Sequence, residues 1–303
     1  MKKVLATILR LLALVVIYVV LFTTESRLTT PAQLAQQFTP AQMQQAAAAL
    51  PAVSLIMTLM LAYLALRSRW WGWKLAGALF AIFYVIYTFL SWIELLAFPA
   101  VSRQMPPGML SGMLLGGLIL GIPFSLLAVW ILGKTRRDPA ADQPNERLIM
   151  SAPEWLWRAV CAALLYDIVY FTFGYFVAWR TPGLPAFYGG TDPGTFLGQL
   201  ANVARQTPWL YGVAFLRGLL WTAAGCLIIR MHRGAAWETV LATGLSFTVL
   251  MNASLLFPNP FFPPAVLHAH TIELVSSNFL YGLLLAAFLL WRPRPAVRAP
   301  APA

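Results

Sequence analysis

Eight stretches of this chain are apolar over close to the length of a bilayer's hydrocarbon core, and short polar connections separate them. They run roughly 4–23, 51–67, 75–97, 109–133, 156–178, 208–229, 236–257 and 271–291. A spanning helix needs about 20 mostly apolar residues, because only a helix or a closed barrel satisfies its own backbone where water is absent. Across the 303 residues, 60% are hydrophobic and 10% charged. An ordinary soluble domain is about 25% charged, so soluble, disordered and fibrous chains are excluded. The expected fold class is all-α, a polytopic transmembrane helix bundle of about eight spans.

The charges that remain sort by loop. With the N-terminus placed in the cytoplasm, alternate connections collect Lys2 and Lys3, then Arg67, Arg69 and Lys74, then Lys134, Arg136, Arg137, Arg147 and Arg158, then Arg230 and Arg233, and finally Arg292, Arg294 and Arg298. The other side receives only Arg27, Arg103, Arg180 and Arg205, while Arg10 and Arg217 fall within spans. Lys and Arg accumulate on the cytoplasmic side of membrane proteins, so an even number of spans with both ends inside is expected. A plasma membrane of the bacterial inner-membrane kind is the expected setting. The first stretch begins on Lys2 and Lys3 like a signal peptide, but its apolar run is long and no small-x-small cleavage site precedes Glu25, so it reads as a retained anchor.

These sides divide the chain into a first membrane half (1–133), a cytoplasmic linker (134–155, with Asp138, Asp142 and Glu146 among its bases), a second half (156–291) and a disordered tail (292–303). On the outer side, the Gln/Ala-rich stretch from Gln33 to Leu50 is expected to form a helix lying on the surface.

The halves resemble each other. Arg10 and Tyr18 match Arg158 and Tyr166. Arg67, Arg69 and Trp73 match Arg230, Arg233 and Trp237. Phe98–Pro99 before Pro106–Pro107 matches Phe257–Pro258 before Pro263–Pro264. The matches keep their order at offsets between about 148 and 164, as in an internal repeat. Two parallel four-helix repeats would be related by an axis along the membrane normal, an arrangement found in transporters. Gly108, Gly112, Gly116, Gly117 and Gly121 give the fourth span a small face for close helix contact.

The informative residues are those that cost most to bury. A charge near the bilayer centre costs about 2.5–3.5 kcal/mol on insertion scales. Asp167 and Arg217 sit mid-span at similar depths, so a buried ion pair or substrate-binding pair between them is expected. Tyr84, Tyr87, Ser91 and Glu94 fall at spacings of three, four and three, which places them on one face of an α-helix. Asn252, His270, Glu273, Ser277 and Asn278 lie in the outer halves of the last two spans, with His268 just before. Together these residues predict a polar cavity facing the exoplasmic side. His268 and His270 do not share the i, i+4 spacing of a zinc helix, and Cys161 and Cys226 lie in apolar runs. No metal, cofactor or disulfide is expected.

No nucleotide-binding loop, metalloprotease helix or nucleophile elbow occurs, and no soluble basic domain suits nucleic acid. The expected partners are the lipid bilayer and a small-molecule ligand, and the oligomeric state does not follow. A transporter or permease-like protein for a small solute accounts best for midplane charges without soluble domains. A membrane-embedded enzyme with an exofacial acid/base site (Glu94, His270 and Glu273) is the alternative, as is a non-catalytic assembly or sensor component.

Overall fold

The computed structural model describes residues 2–137 and 146–291. Asp138 and Asp142 of the expected linker, and the tail after Trp291, lie outside the described residues. Eight helices are long and apolar enough to cross a membrane: Val4–Thr29, Pro40–Leu66, Gly72–Ala97, Met109–Ile131, Ala152–Trp179, Trp209–Met231, Ala236–Leu256 and Pro264–Leu290. They are taken below as the first to eighth spans, and the chain is a multi-pass membrane protein. No named strand occurs among the described residues, and one isolated antiparallel bridge joins Ser68 to His232.

Two boundaries move from where the hydropathy places them. The first span runs on to Thr29, which brings Glu25 inside the bundle. The second begins at Pro40, so most of the Gln/Ala-rich stretch is its opening turns rather than a separate helix on the surface. The reason is a capping box. Thr39 Oγ1 accepts from the Gln42 backbone N–H at 3.2 Å, and Gln42 Oε1 accepts from the Thr39 N–H at 2.9 Å. Two otherwise orphaned donors are satisfied there, and the helix starts before its apolar window does.

The third and fifth spans are not α-helical throughout. Tyr84–Phe89 and Gly174–Trp179 are single π-helical segments within otherwise regular helices. Their i→i+5 bonding accommodates one more residue than an α-turn, and such bulges are rare except near functional sites.

Packing follows the same scheme in each half. The first span lies against the second and fourth, and the third against the fourth. In the second half the fifth lies against the sixth and eighth, and the seventh against the eighth. The halves meet where the second span packs on the seventh and the third on the sixth and seventh. Small residues set the closest approaches: a Cβ at Gly282 would stand 2.7 Å from Gly244 Cα, and one at Gly218 2.7 Å from Ala163 Cα. Without a hydrophobic drive between helices in lipid, such backbone proximity supplies much of the attraction. Outward positions such as Leu9, Leu12, Val16 and Val20 of the first span are apolar and exposed, as lipid contact requires.

The hairpin loops between the second and third spans and between the sixth and seventh join across the middle of one face. Arg69 N–H donates to Met231 O at 2.8 Å and Arg233 N–H to Arg67 O at 2.9 Å, on either side of the Ser68–His232 bridge. On this face, where the first span begins and the eighth ends, Arg158, expected among the cytoplasmic charges, is buried. It is 1% exposed, pairs with Glu154 at 2.9 Å, and donates to Phe288 O and Trp291 O at 2.9 and 3.0 Å. It caps the last carbonyls of the eighth span, where a cation suits the helix dipole.

Candidate functional site

A cavity of about 290 Å³ opens at the end of the bundle opposite the chain ends. Its walls come from the ends of the third, fifth, sixth, seventh and eighth spans on that side and from the 179–208 connection. Seven aromatic side chains, Phe98, Tyr170, Phe171, Tyr175, Trp179, Tyr188 and Phe262, share the lining with aliphatic ones such as Leu95, Leu210 and Leu274. The polar groups that reach it are few, chiefly Glu94 and Ser91 on the third span and His270 and Glu273 on the eighth.

Arg217 does not pair with Asp167. Its Nη2 lies 2.7 Å from Glu94 Oε2, and the guanidinium stands 5.6 and 5.5 Å from the ring centres of Tyr166 and Tyr170. Arg217 is 2% exposed and sits behind Glu94, away from the cavity wall, whereas Glu94 reaches the wall itself. Asp167 is half-buried, and its Oδ1 has no hydrogen-bond partner. Depth was the basis for pairing the two mid-span charges. Depth does not fix which way a side chain points around its helix, and the third span supplies the nearer carboxylate.

Glu273 is 5% exposed, and its Oε2 lies 3.4 Å from His270 Nδ1. His270 Nε2 in turn lies 2.8 Å from the Tyr188 hydroxyl. Tyr188 lies in the connection between the fifth and sixth spans. Burial first, then the carboxylates of Glu94 and Glu273, push its phenol above the ordinary range, so it stays neutral. Tyr188, His270 and Glu273 thus form a hydrogen-bonded row along one side of the cavity. Tyr188 was not identifiable in the sequence, where nothing sets it apart from other loop tyrosines.

The remaining expected residues divide. Ser91 and Glu94 reach the cavity, but Tyr84 and Tyr87 do not. The π-segment begins at Tyr84, so the assumed α-helical face breaks there. Tyr84 donates instead to Leu114 O at 3.4 Å, and Tyr87 lines a second cavity beside the first span. Asn252, Ser277 and Asn278 are buried without lining the larger cavity. Asn252 Nδ2 donates to Leu274 O at 3.2 Å and Ser277 Oγ to Leu274 O at 3.5 Å, while Asn278 Nδ2 finds no partner. His268 is exposed. Among the described residues, no three His, Cys, Asp or Glu side chains gather as a metal site, and both cysteines are free thiols.

The face on which the Ser68–His232 bridge lies carries a polar network. Arg67 and Glu238 form an ion pair between the two halves. Arg147 donates to His232 O at 2.6 Å, to Thr239 Oγ1 at 2.9 Å and to Gly234 O, and Lys134 Nζ donates to Ser68 O at 3.0 Å. His232 is wholly buried at the centre of this network. Its Nδ1 accepts from the Gly234 N–H at 3.2 Å, and its Nε2 lies 3.2 Å from the Tyr63 hydroxyl. Burial, reinforced by Arg67 and Arg147, pushes its pKa down to about 4, so at neutral pH the ring is uncharged. Beneath lies a continuous apolar core that includes Leu64, Leu75, Leu79, Ile228 and Ile229.

No protein-family model, curated protein or solved structure matches this chain.

Proposed function

We propose that the chain is a permease-like protein that takes up a small amphipathic organic cation, held in the larger cavity by aromatic walls and by the carboxylates of Glu94 and Glu273. One observation carries the choice of charge. The lining presents two carboxylates, while the nearby guanidinium of Arg217 is turned behind Glu94 and already paired. Glu273 has no Lys or Arg partner among the described residues. Seven aromatic side chains in the same lining suit an ammonium group, which is attracted to ring faces as well as to carboxylate. A cavity of about 290 Å³ fits a ligand of roughly ten to fifteen heavy atoms by the usual scale of ligand sites.

Movement across the membrane is supported by the two-fold character of the bundle. Each half has the same packing scheme, and the bridge pairs Ser68 with His232, the residue that the Arg69–Arg233 match of the repeat puts in the same place. Two parallel repeats of four spans, with the dyad passing through that bridge, can rock about it while the solute site stays near the axis. In this reading the chain ends are cytoplasmic, the cavity faces the exoplasmic side, and the Arg67–Glu238 network is the closed inner gate.

Benzyltrimethylammonium is a suitable probe, with its neutral isostere neopentylbenzene and the anion benzoate as controls. Binding to the purified protein in detergent is read from tryptophan fluorescence, since Trp179 lines the cavity. The cation should bind, Glu273→Gln should weaken it at least tenfold, and Asp167→Asn should leave it unchanged. Equal affinity for the neutral isostere, or tighter binding of benzoate, refutes the organic-cation reading. Proteoliposomes that bind the cation but never accumulate it refute the permease.

The row of Tyr188, His270 and Glu273 favours one second reading, an exofacial acid/base enzyme. Its signature would be loss of activity on a turned-over substrate in His270→Asn with binding retained.

A further inference from the structure

A second cavity, of about 230 Å³, lies in the first half beside the larger one and opens on the same side of the bundle. Its lining is of a different kind. It includes the carboxylate of Glu25, the hydroxyls of Thr29, Thr88 and Ser91, and the phenol of Tyr87. Ser91 and Ser254 line both cavities.

Glu25 has no ion-pair partner among the described residues. Among the described residues its one side-chain hydrogen bond is from Thr29 Oγ1, 3.2 Å from Oε2. Thr88 is 3% exposed, and its Oγ1 is buried with no partner at all. An orphaned hydroxyl in a membrane interior is costly, and this one sits in a cavity wall shared with a carboxylate that lacks a counter-charge.

The fourth span has been cleared to make the room. A Cβ at Gly116 would stand 2.3 Å from Glu25 Oε2, and one at Gly117 2.2 Å from Thr88 Oγ1. At Gly112 it would stand 2.3 Å from the Thr29 carbonyl oxygen. The small face expected for helix packing therefore also admits oxygen atoms. Thr29 is the last residue of the first span, so the negative end of that helix's dipole adds to the potential.

We infer that this second cavity binds a monovalent metal cation through Glu25, with Thr88 and Thr29 as neutral oxygen ligands. A single carboxylate balances a single positive charge, and carboxylate and hydroxyl oxygens are hard donors suited to an alkali ion. The shared walls at Ser91 and Ser254 place this charge next to the solute cavity. The ion site itself stands without the solute reading, because its test uses no solute.

The test is equilibrium binding of ²²Na⁺ and ⁸⁶Rb⁺ to the purified full-length protein in detergent, at constant ionic strength made up with N-methyl-D-glucamine chloride, whose polyol cation is neither quaternary nor amphipathic. Saturable binding of one of the two ions, near one per chain, is expected. Glu25→Gln should abolish it, and Thr88→Val, which keeps the side-chain shape, should weaken it about tenfold. Glu273→Gln should leave it within twofold. Absence of saturable binding for both ions overturns the inference. So does undiminished binding in Glu25→Gln, or equal affinity in Thr88→Val. If Glu25→Gln fails to fold, as judged by size-exclusion profile, the Thr88→Val affinity decides.

Discussion

The Arg217–Glu94 pair makes an asymmetric prediction. Arg217 is 2% exposed, and its Nε already lacks a partner. Glu94 faces the cavity with its side chain 23% exposed. Removing the carboxylate in Glu94→Gln strands a guanidinium in the membrane interior. Breaking a buried pair in this way costs about 3–5 kcal/mol. Removing the guanidinium in Arg217→Met leaves a carboxylate that cavity water can reach, so the cost should be smaller, about 1–3 kcal/mol. The double variant strands no charge and should be less destabilised than the sum of the singles by about 2 kcal/mol or more. At a few degrees per kcal/mol for a chain of this size, Glu94→Gln should lower Tm by roughly 6–15 °C and Arg217→Met by about half as much. Thermal unfolding in one detergent, at fixed scan rate and protein concentration, gives the order. Asp167→Asn is the control and should change Tm by less than about 2 °C. Additive singles, or a larger loss in Asp167→Asn than in Glu94→Gln, would refute this account of which carboxylate neutralises Arg217.

Three further outcomes follow from features at other depths. His232 is held neutral in the fold with its pKa near 4, against 6.5 when exposed; stability should be full above pH 6.5 and fall by about 2 kcal/mol as the pH drops from 6.5 to 4, a loss that His232→Gln should flatten in Tm–pH profiles. Gly282→Ala should destabilise by about 2 kcal/mol, since a Cβ there meets the Gly244 backbone rather than a flexible side chain; an unchanged Tm would show that the seventh and eighth spans can separate freely. Glu238→Gln removes the ion pair that ties Arg67 to the second half, so a cysteine introduced at Leu64 or Ile228 should label several-fold faster from the chain-end side; unchanged labelling would show that this network is not the gate.

What was legible in the sequence depends on how local its cause is. Eight spans are visible because each requires its own apolar window, independent of neighbours. The limits of the second span were not, because Thr39 and Gln42 start the helix by capping it in a stretch with little hydropathy. Glu94, His270 and Glu273 were identifiable as groups too expensive to bury idly, and the structure gathers them around one cavity. Their partners were not identifiable: whether Arg217 meets Asp167 or Glu94 is decided by azimuth and by which helices are neighbours. Glu25 was passed over because it seemed to lie beyond the end of the first span. Arg158, sorted with the loop charges by its position, spends its charge on the carbonyls that end the eighth span.

The π-segment at Tyr84–Phe89 makes the cavity depend on residue count as much as on residue identity. Each residue of an α-helix turns the chain by about 100°. Deleting one residue from 84–89 would let the helix revert to α without that swing, because the wide turn is what absorbs the extra residue. Ser91 and Glu94, beyond it, would keep their places in the wall, and Tyr87, inside it, would be re-aimed. A second deletion, with no wide turn left to absorb it, would swing Glu94 away from Arg217 with no side chain in the site altered. One residue lost from this segment should therefore be borne far better than two.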